Sequence, residues 1–102
     1  MKKGPELVEG KDEGIEELGI QIVILDRGFV YIGATWIEEG KWVHVGPCKN
    51  IRVWGTKDGL GELALNGPTS STVLDKGGNI CAPWHALITF MNVDQDMWRK
   101  HI

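Results

Sequence analysis

The sequence has no long apolar run, few cysteines and no excess of basic residues. A transmembrane helix needs about 20 consecutive apolar residues, so we expect no membrane partner. Lys and Arg total 11 against 14 Asp and Glu, which gives a formal net charge of −3. General nucleic-acid binding needs a basic surface that displaces counterions from phosphates, so this class of function is not expected either.

The two cysteines, Cys48 and Cys81, bear on both compartment and chemistry. The N-terminus lacks the charged-then-apolar pattern of a secretion signal, which predicts a cytoplasmic chain with reduced thiols. His44 and His85 each lie four residues from a cysteine, and two Cys with two His can bind tetrahedral zinc. Each pair spans a strand end and a proline, however, instead of a tight zinc knuckle. We therefore expect no metal, no other cofactor and no catalytic Cys–His pair.

Glycine and tryptophan are the residues in excess, with 14 and five copies. Frequent glycine favours turns over long helices, and short apolar segments between turn signals are typical of strands. The segments that match this pattern are 20–25, 29–38, 42–45, 51–54 and 80–93, the last broken at Pro83. The sequence thus predicts a mainly β fold, either a small antiparallel meander or a barrel-like sheet.

Three other segments do not show the strand pattern. Residues 58–66 place their apolar side chains on one helical face, and Asp58 can cap the first turn, so this segment predicts one short helix. Residues 69–78 are polar and glycine-containing, which predicts a loop. Residues 94–102 predict a second short helical segment that docks through Met97 and Trp98.

The first 19 residues differ from the rest in composition. They are rich in acidic residues and are interrupted by Gly4, Gly10 and Gly14. Such a segment has too little apolar surface to fold by itself, which predicts a mobile acidic arm over 1–19. The remaining residues, 20–102, are expected to form a single small β-rich domain, because a chain of this length can form one core.

Several polar and aromatic side chains are of the types that bind ligands. The candidate ligand-binding residues are Asn50, Arg52, Trp54, Trp36, Ser70, Ser71 and Thr72. Asn50, Arg52 and Trp54 alternate along a predicted strand and so share one face. A guanidinium binds phosphate and an indole stacks on a base, while the hydroxyls and N–H groups of the polar segment suit an anion. A structural interpretation stays open, with Trp54 capping the core and Arg52 in a surface ion pair.

Four short motifs also occur in a characteristic order. They are an apolar strand containing glycine at 28–33, Trp-Val at 42–43, Asn-Ile-Arg-Val-Trp-Gly at 50–55 and Leu-Gly-Glu-Leu-Ala at 60–64. This order resembles a family of small bacteriophage and prophage proteins, the domain of unknown function DUF6948, over about residues 20–93. The chain departs from the family at 48–50, where Cys-Lys-Asn stands in place of the frequent Ala-Arg-Arg. The resemblance implies a protein of the infected bacterial cytoplasm and supplies no activity.

Three functions follow from these observations. The sequence favours a non-enzymatic binding protein that sequesters a nucleotide-like host defence signal or blocks a host protein, as the phage resemblance implies. The alternative is a structural or assembly protein that forms a homo-oligomer, because five tryptophans in a small chain suit an interface. A small Cys/His enzyme is the least favoured, since no nucleophile and base converge in the sequence.

Overall fold

The computed structural model describes residues 14–102, which form one antiparallel sheet with two short helices. The prediction of a mainly β fold is therefore confirmed. The strands are β1 (Ile15–Leu25), β2 (Val30–Glu38), β3 (Trp42–Val53), β4 (Val73–Pro83) and β5 (Leu87–Asn92), and the helices are α1 (Leu60–Asn66) and α2 (Gln95–Arg99). The strand order is β4-β3-β2-β1-β5, a four-stranded meander with the last strand added beside the first.

The sheet is strongly curled. β4 and β5 lie at opposite edges, yet only the turn Trp84–Ala86 connects them. The two edges of a flat five-stranded sheet are about 19 Å apart, whereas the chain from Pro83 to Leu87 spans at most about 14 Å. The edges must therefore bend towards each other. Since β4 and β5 share no ladder within residues 14–102, the sheet remains open instead of closing into a barrel.

The concave face of the curled sheet forms one of two apolar clusters. Val23, Val43 and Val45 lie there with at most 1% of their surface exposed, although no helix belongs to this cluster. Side chains from both edges close it, including Ala82 of β4 and partly buried Phe90 of β5. Because side chains of the strands and of the Trp84–Ala86 turn exclude the water without α1 or α2, the curl is what buries this face.

The convex face is covered by the helices over one half only. Ile22 and Ile32 are fully buried there, beneath Leu63 of α1 and Trp98 of α2. The Trp98 indole N–H donates a 2.8 Å hydrogen bond to the Leu63 carbonyl oxygen, so this buried polar group is paired. In the helix-covered half, aliphatic side chains of the strands therefore pack beneath the helices, with a tryptophan at the centre.

Both helices lie close to their predicted positions, with different caps. α1 begins at Leu60 after Gly59, and Asp58 does not cap it; the Glu62 carboxylate instead accepts hydrogen bonds from the backbone N–H groups of Lys57 and Asp58. In α2 the Asp94 side chain accepts from two first-turn N–H groups, as an N-cap aspartate does.

Three boundaries differ from the sequence prediction. β3 is one continuous strand, because the ladder shifts register between Val45 and Cys48 and a bulge accommodates Pro47, where a strand end was expected. The predicted polar loop over 69–78 is wrong from Val73 onward, since backbone pairing with β3 makes that stretch part of an edge strand. β1 begins at Ile15, so the last residues of the predicted arm belong to the sheet, and the earlier ones lie outside the described residues.

Candidate functional site

The half of the convex face beyond the helices carries two rows of side chains. Each row contains one side chain from each of the four strands β1 to β4. Residues directly opposite in antiparallel ladders lie on the same face of a sheet. We call this surface the outer grid, and its two rows are Ile15, Glu38, Trp42 and Pro83, then Glu17, Trp36, His44 and Cys81.

Burial confirms that the outer grid faces solvent. Ile37, Val43 and Ala82 alternate with grid residues along their strands, and all three are buried on the concave side. Trp42 keeps 43% of its surface exposed and Ile15 keeps 40%. The grid is therefore an aromatic and acidic sheet surface on which neither α1 nor α2 is packed.

The centre of the outer grid is held by two contacts. The Trp36 indole and the His44 imidazole stack with their centroids 5.0 Å apart and their planes within 3°. His44 Nε2 lies 2.9 Å from Glu38 Oε1. These contacts fix one aromatic ring, one imidazole and one carboxylate relative to each other before any ligand arrives, which lowers the ordering cost of binding.

Cys81 lies directly across the ladder from His44, yet the two do not form a nucleophile–base pair. His44 Nε2 lies instead 2.9 Å from Glu38 Oε1 on β2. No hydrogen bond joins Cys81 to His44 in the described part of the chain. Cys48 is buried in the concave cluster. Within residues 14–102, no three His, Cys, Asp or Glu side chains are grouped as metal ligands.

A shallow groove of ≈ 260 Å³ borders the outer grid at the β2–β3 hairpin. Its lining consists of Gly14, Ile15, Glu16, Ile37, Glu39, Gly40 and Trp84. Trp84 is 43% exposed and is anchored by its backbone N–H, which donates to the Lys41 carbonyl oxygen. The groove thus adds a tryptophan and two carboxylates to the same end of the molecule.

Arg52 and Asn50, two of the predicted ligand-binding residues, already have partners within the chain. Arg52 Nε donates to Asp75 Oδ2 at 2.7 Å, and this hydrogen bond and the carboxylate charge raise the pKa of the guanidinium. Asn50 Nδ2 donates to the Val30 carbonyl oxygen at 3.1 Å across the β2–β3 ladder. An anion at Arg52 would have to compete with Asp75.

The predicted hydroxyl segment lies against the backbone of Trp54. Thr72 Oγ1 donates to the Trp54 carbonyl oxygen at 2.7 Å, and the Ser71 N–H donates to Thr69 Oγ1 at 3.1 Å. The Thr72 N–H donates to the Thr69 carbonyl oxygen. These donors stabilise the turn itself, while the Trp54 indole, just past the end of β3, stays 43% exposed and Ser70 is exposed.

The structure therefore divides the predicted site residues between two places. Arg52, Trp54 and the 70–72 turn lie together at the end of β3. Trp36 pairs with His44 of β3. His44 precedes Arg52 by eight residues on that strand, which corresponds to about 25 Å of strand rise. A single nucleotide does not reach both places, and Trp36 belongs to the outer grid.

Sequence reasoning did not identify the outer grid as a unit. The signal present was local: Trp42 and His44 alternate with Val43 and Val45, which predicts that two polar or aromatic side chains share a face. Cys81 lies in the predicted strand segment 80–93, but its place beside His44 follows from the β3–β4 pairing, which local patterns do not give.

No family model, curated protein or solved structure matches this chain. The resemblance to the phage family therefore rests on its short motifs alone. No helix in residues 14–102 is both long enough and apolar enough to cross a membrane. The outer grid and the Trp54 end are therefore the two surfaces from which a function can be inferred.

Proposed function

We propose that this chain is a non-catalytic binding protein that recognises another protein through the outer grid. The observation that carries the proposal is the tryptophan-bearing half of the convex face that no helix of residues 14–102 covers, where Trp42 is 43% exposed beside the fixed Trp36–His44 stack. Tryptophan is enriched among the few residues that dominate binding energy at protein interfaces. The phage resemblance supports a host protein of the infected cell's cytoplasm as the partner.

Capture of a nucleotide-like defence signal at the Trp54 end is the second candidate. An exposed indole beside Ser70 and Arg52 favours it. The Arg52–Asp75 ion pair and the internally bonded turn weigh against it, because the phosphate would replace contacts that the chain already makes. Calorimetric titration with cyclic and linear nucleotides tests it, and binding there has to be lost in both Arg52→Ala and Trp54→Ala.

The proposed function is tested by selecting random peptides on the immobilised protein and comparing two tryptophan variants. Trp42→Ala removes the outer-grid ring, and Trp54→Ala is its matched control, since both indoles are 43% exposed and they lie at opposite ends of β3. We expect the selected peptides to bind wild type and Trp54→Ala alike and to bind Trp42→Ala at least about tenfold more weakly, as for a hot-spot residue.

Two outcomes would contradict this proposal. Selected peptides that lose binding with Trp54→Ala and keep it with Trp42→Ala would move the site to the other end of β3. A wild-type oligomer that dissociates in Trp42→Ala, seen by light scattering, would show that the outer grid is covered by another copy of the chain. That second result would support the structural homo-oligomer instead.

A further inference from the structure

We infer that the outer grid binds an extended, positively charged segment of its partner, with Arg or Lys at alternate positions. The inference rests on the proposed function and adds the chemistry of the partner. Its first support is charge: the eight grid residues include the carboxylates of Glu17 and Glu38 and no Lys or Arg. The groove at the same end of the sheet carries Glu39 and also Glu16, which lies on the opposite face from Glu17. Lys41, at the hairpin tip, is three residues from Glu38.

The second support is the state of the Glu38 carboxylate. Its Oε1 is held 2.9 Å from His44 Nε2, and half of the Glu38 side chain is exposed, which leaves Oε2 available to a ligand. A guanidinium or ammonium group that reaches this carboxylate also lies beside the exposed Trp42 ring, its cross-strand neighbour. Carboxylate pairing and a cation–π contact are then made by one incoming charge.

The third support is spacing. Glu17 and Glu38 lie on adjacent strands as diagonal neighbours, because Glu17 pairs with Trp36 and Glu38 follows two residues later. Diagonal positions on one sheet face are about 7 Å apart. Alternate side chains of an extended segment have nearly the same separation, about 7 Å. An Arg-x-Arg or Lys-x-Lys segment therefore presents one cation to each carboxylate.

A second copy of this chain is a poor match for the same surface. Two-fold association would use the same patch on both subunits, which places two copies of the Glu17 and Glu38 carboxylates in one interface. Like charges placed opposite each other are destabilising, and the whole chain already carries a formal net charge of −3. The charge pattern therefore selects a basic partner over self-association.

The test uses synthetic nine-residue Gly/Ser peptides that differ only at two alternate positions, filled by Arg, Lys, Gln or Glu. Binding to the isotope-labelled full chain is followed by chemical-shift changes at 20 and 200 mM NaCl. We expect the Arg and Lys peptides to bind at least about tenfold more tightly than the Gln peptide at low salt, and the Glu peptide not to bind. Raising the salt should weaken the cationic peptides severalfold, since exposed charges are screened.

Carboxylate variants locate the effect on the outer grid. Glu17→Gln and Glu38→Gln should each lower the affinity for the Arg peptide about threefold or more. Asp26→Asn is the matched control, because it removes an exposed carboxylate just past the far end of β1, about 30 Å away by strand rise. Glu17→Gln is informative by itself, since Glu38→Gln also releases His44, and thermal melts verify that each variant is folded.

The outcomes separate this inference from the proposed function. If selected peptides bind at Trp42 and the Gln peptide binds as well as the Arg peptide, the cationic inference is wrong and the binding function stands. If Asp26→Asn weakens the Arg peptide as much as Glu17→Gln does, the attraction is to net charge and the inference is also wrong. If no peptide of any composition shifts grid resonances, the proposed function fails too.

Discussion

The two halves of the convex face use the same curled sheet and differ in what packs against them. One half has the fully buried Ile22 and Ile32 beneath α1 and α2. The other half, the outer grid, has Trp42 at 43% exposure and carboxylates at Glu17 and Glu38. Burial of aliphatic side chains stabilises a packed helix, whereas two carboxylates lose solvation under one. The residue types on the strands thus match where the helices pack.

The boundary between the halves is marked by one glutamine. Gln95 of α2 accepts from the Ile20 N–H and donates to the Ile20 carbonyl oxygen, each at 2.9 Å. β5 ends its pairing with β1 at Asn92, opposite Gln21, so the Gln95 amide continues the hydrogen bonding of β1 by one residue. Beyond that point β1 has neither a strand nor a helix on that side in the described residues, and the outer grid follows.

Removing one tryptophan from each half of the convex face should give the largest difference in the free energy of unfolding. Trp98→Ala takes away a fully buried indole and its hydrogen bond to Leu63, and should lower the free energy of unfolding by about 3–5 kcal/mol. Trp42→Ala removes a half-exposed indole and should cost about 1 kcal/mol or less, because far less apolar surface returns to water. Urea unfolding curves measure both. Equal losses would mean that the outer grid is as much a part of the core as the helix-covered half.

Cutting the boundary contact should have an intermediate effect. Gln95→Ala leaves the Ile20 N–H and carbonyl groups without their partner in a half-buried position, which should cost about 1–3 kcal/mol. Lys100→Ala, an exposed change at the end of the same helix, is the control and should change stability little. Hydrogen exchange at the Ile20 amide should accelerate in Gln95→Ala alone. Unchanged protection there would show that the helix is held by its apolar contacts only.

Changes at the two thiols should have the smallest effect on the free energy of unfolding. Because Cys48 lies on the concave face and Cys81 on the convex face, they allow the two faces to be compared directly. Burial raises the pKa of the Cys48 thiol above its ordinary value of 9.0, against a smaller lowering by a backbone hydrogen bond at Ile80. The unfolded chain therefore loses this proton first as the pH rises. The stability that Cys48 contributes is complete below pH 9.0 and declines as the pH rises through the folded-state pKa.

We expect the free energy of unfolding of wild type to fall more steeply between pH 8 and pH 10.5 than that of Cys48→Ala. Cys81→Ala keeps the buried thiol and should follow wild type. In native protein a thiol reagent should modify exposed Cys81 and reach buried Cys48 only through unfolding. Rapid native labelling of both thiols would show that the concave cluster opens readily.

Much of the fold could be predicted from local sequence patterns, and the errors of that prediction have a common physical origin. β2 and α1 were predicted near their observed positions because alternation and helical spacing are local properties. The continuity of β3 through Pro47 was missed because a bulge removes the need for a ladder hydrogen bond there. The first part of β4, from Val73 to Gly78, was predicted as a loop because an edge strand can be polar and glycine-containing and still be held by backbone pairing.

The candidate site shows the same division between local and non-local information. The sequence by itself determined that Val43 and Val45 face one side while Trp42 and His44 face the other, since the side chains of a strand alternate by covalent geometry. Only the tertiary structure decided that Glu17 and Cys81 join them, because the choice of neighbouring strands depends on pairing between distant segments. It also decided which half of the convex face is left uncovered by α1 and α2, because the short turn between β4 and β5 forces the curl and both helices pack over the other half.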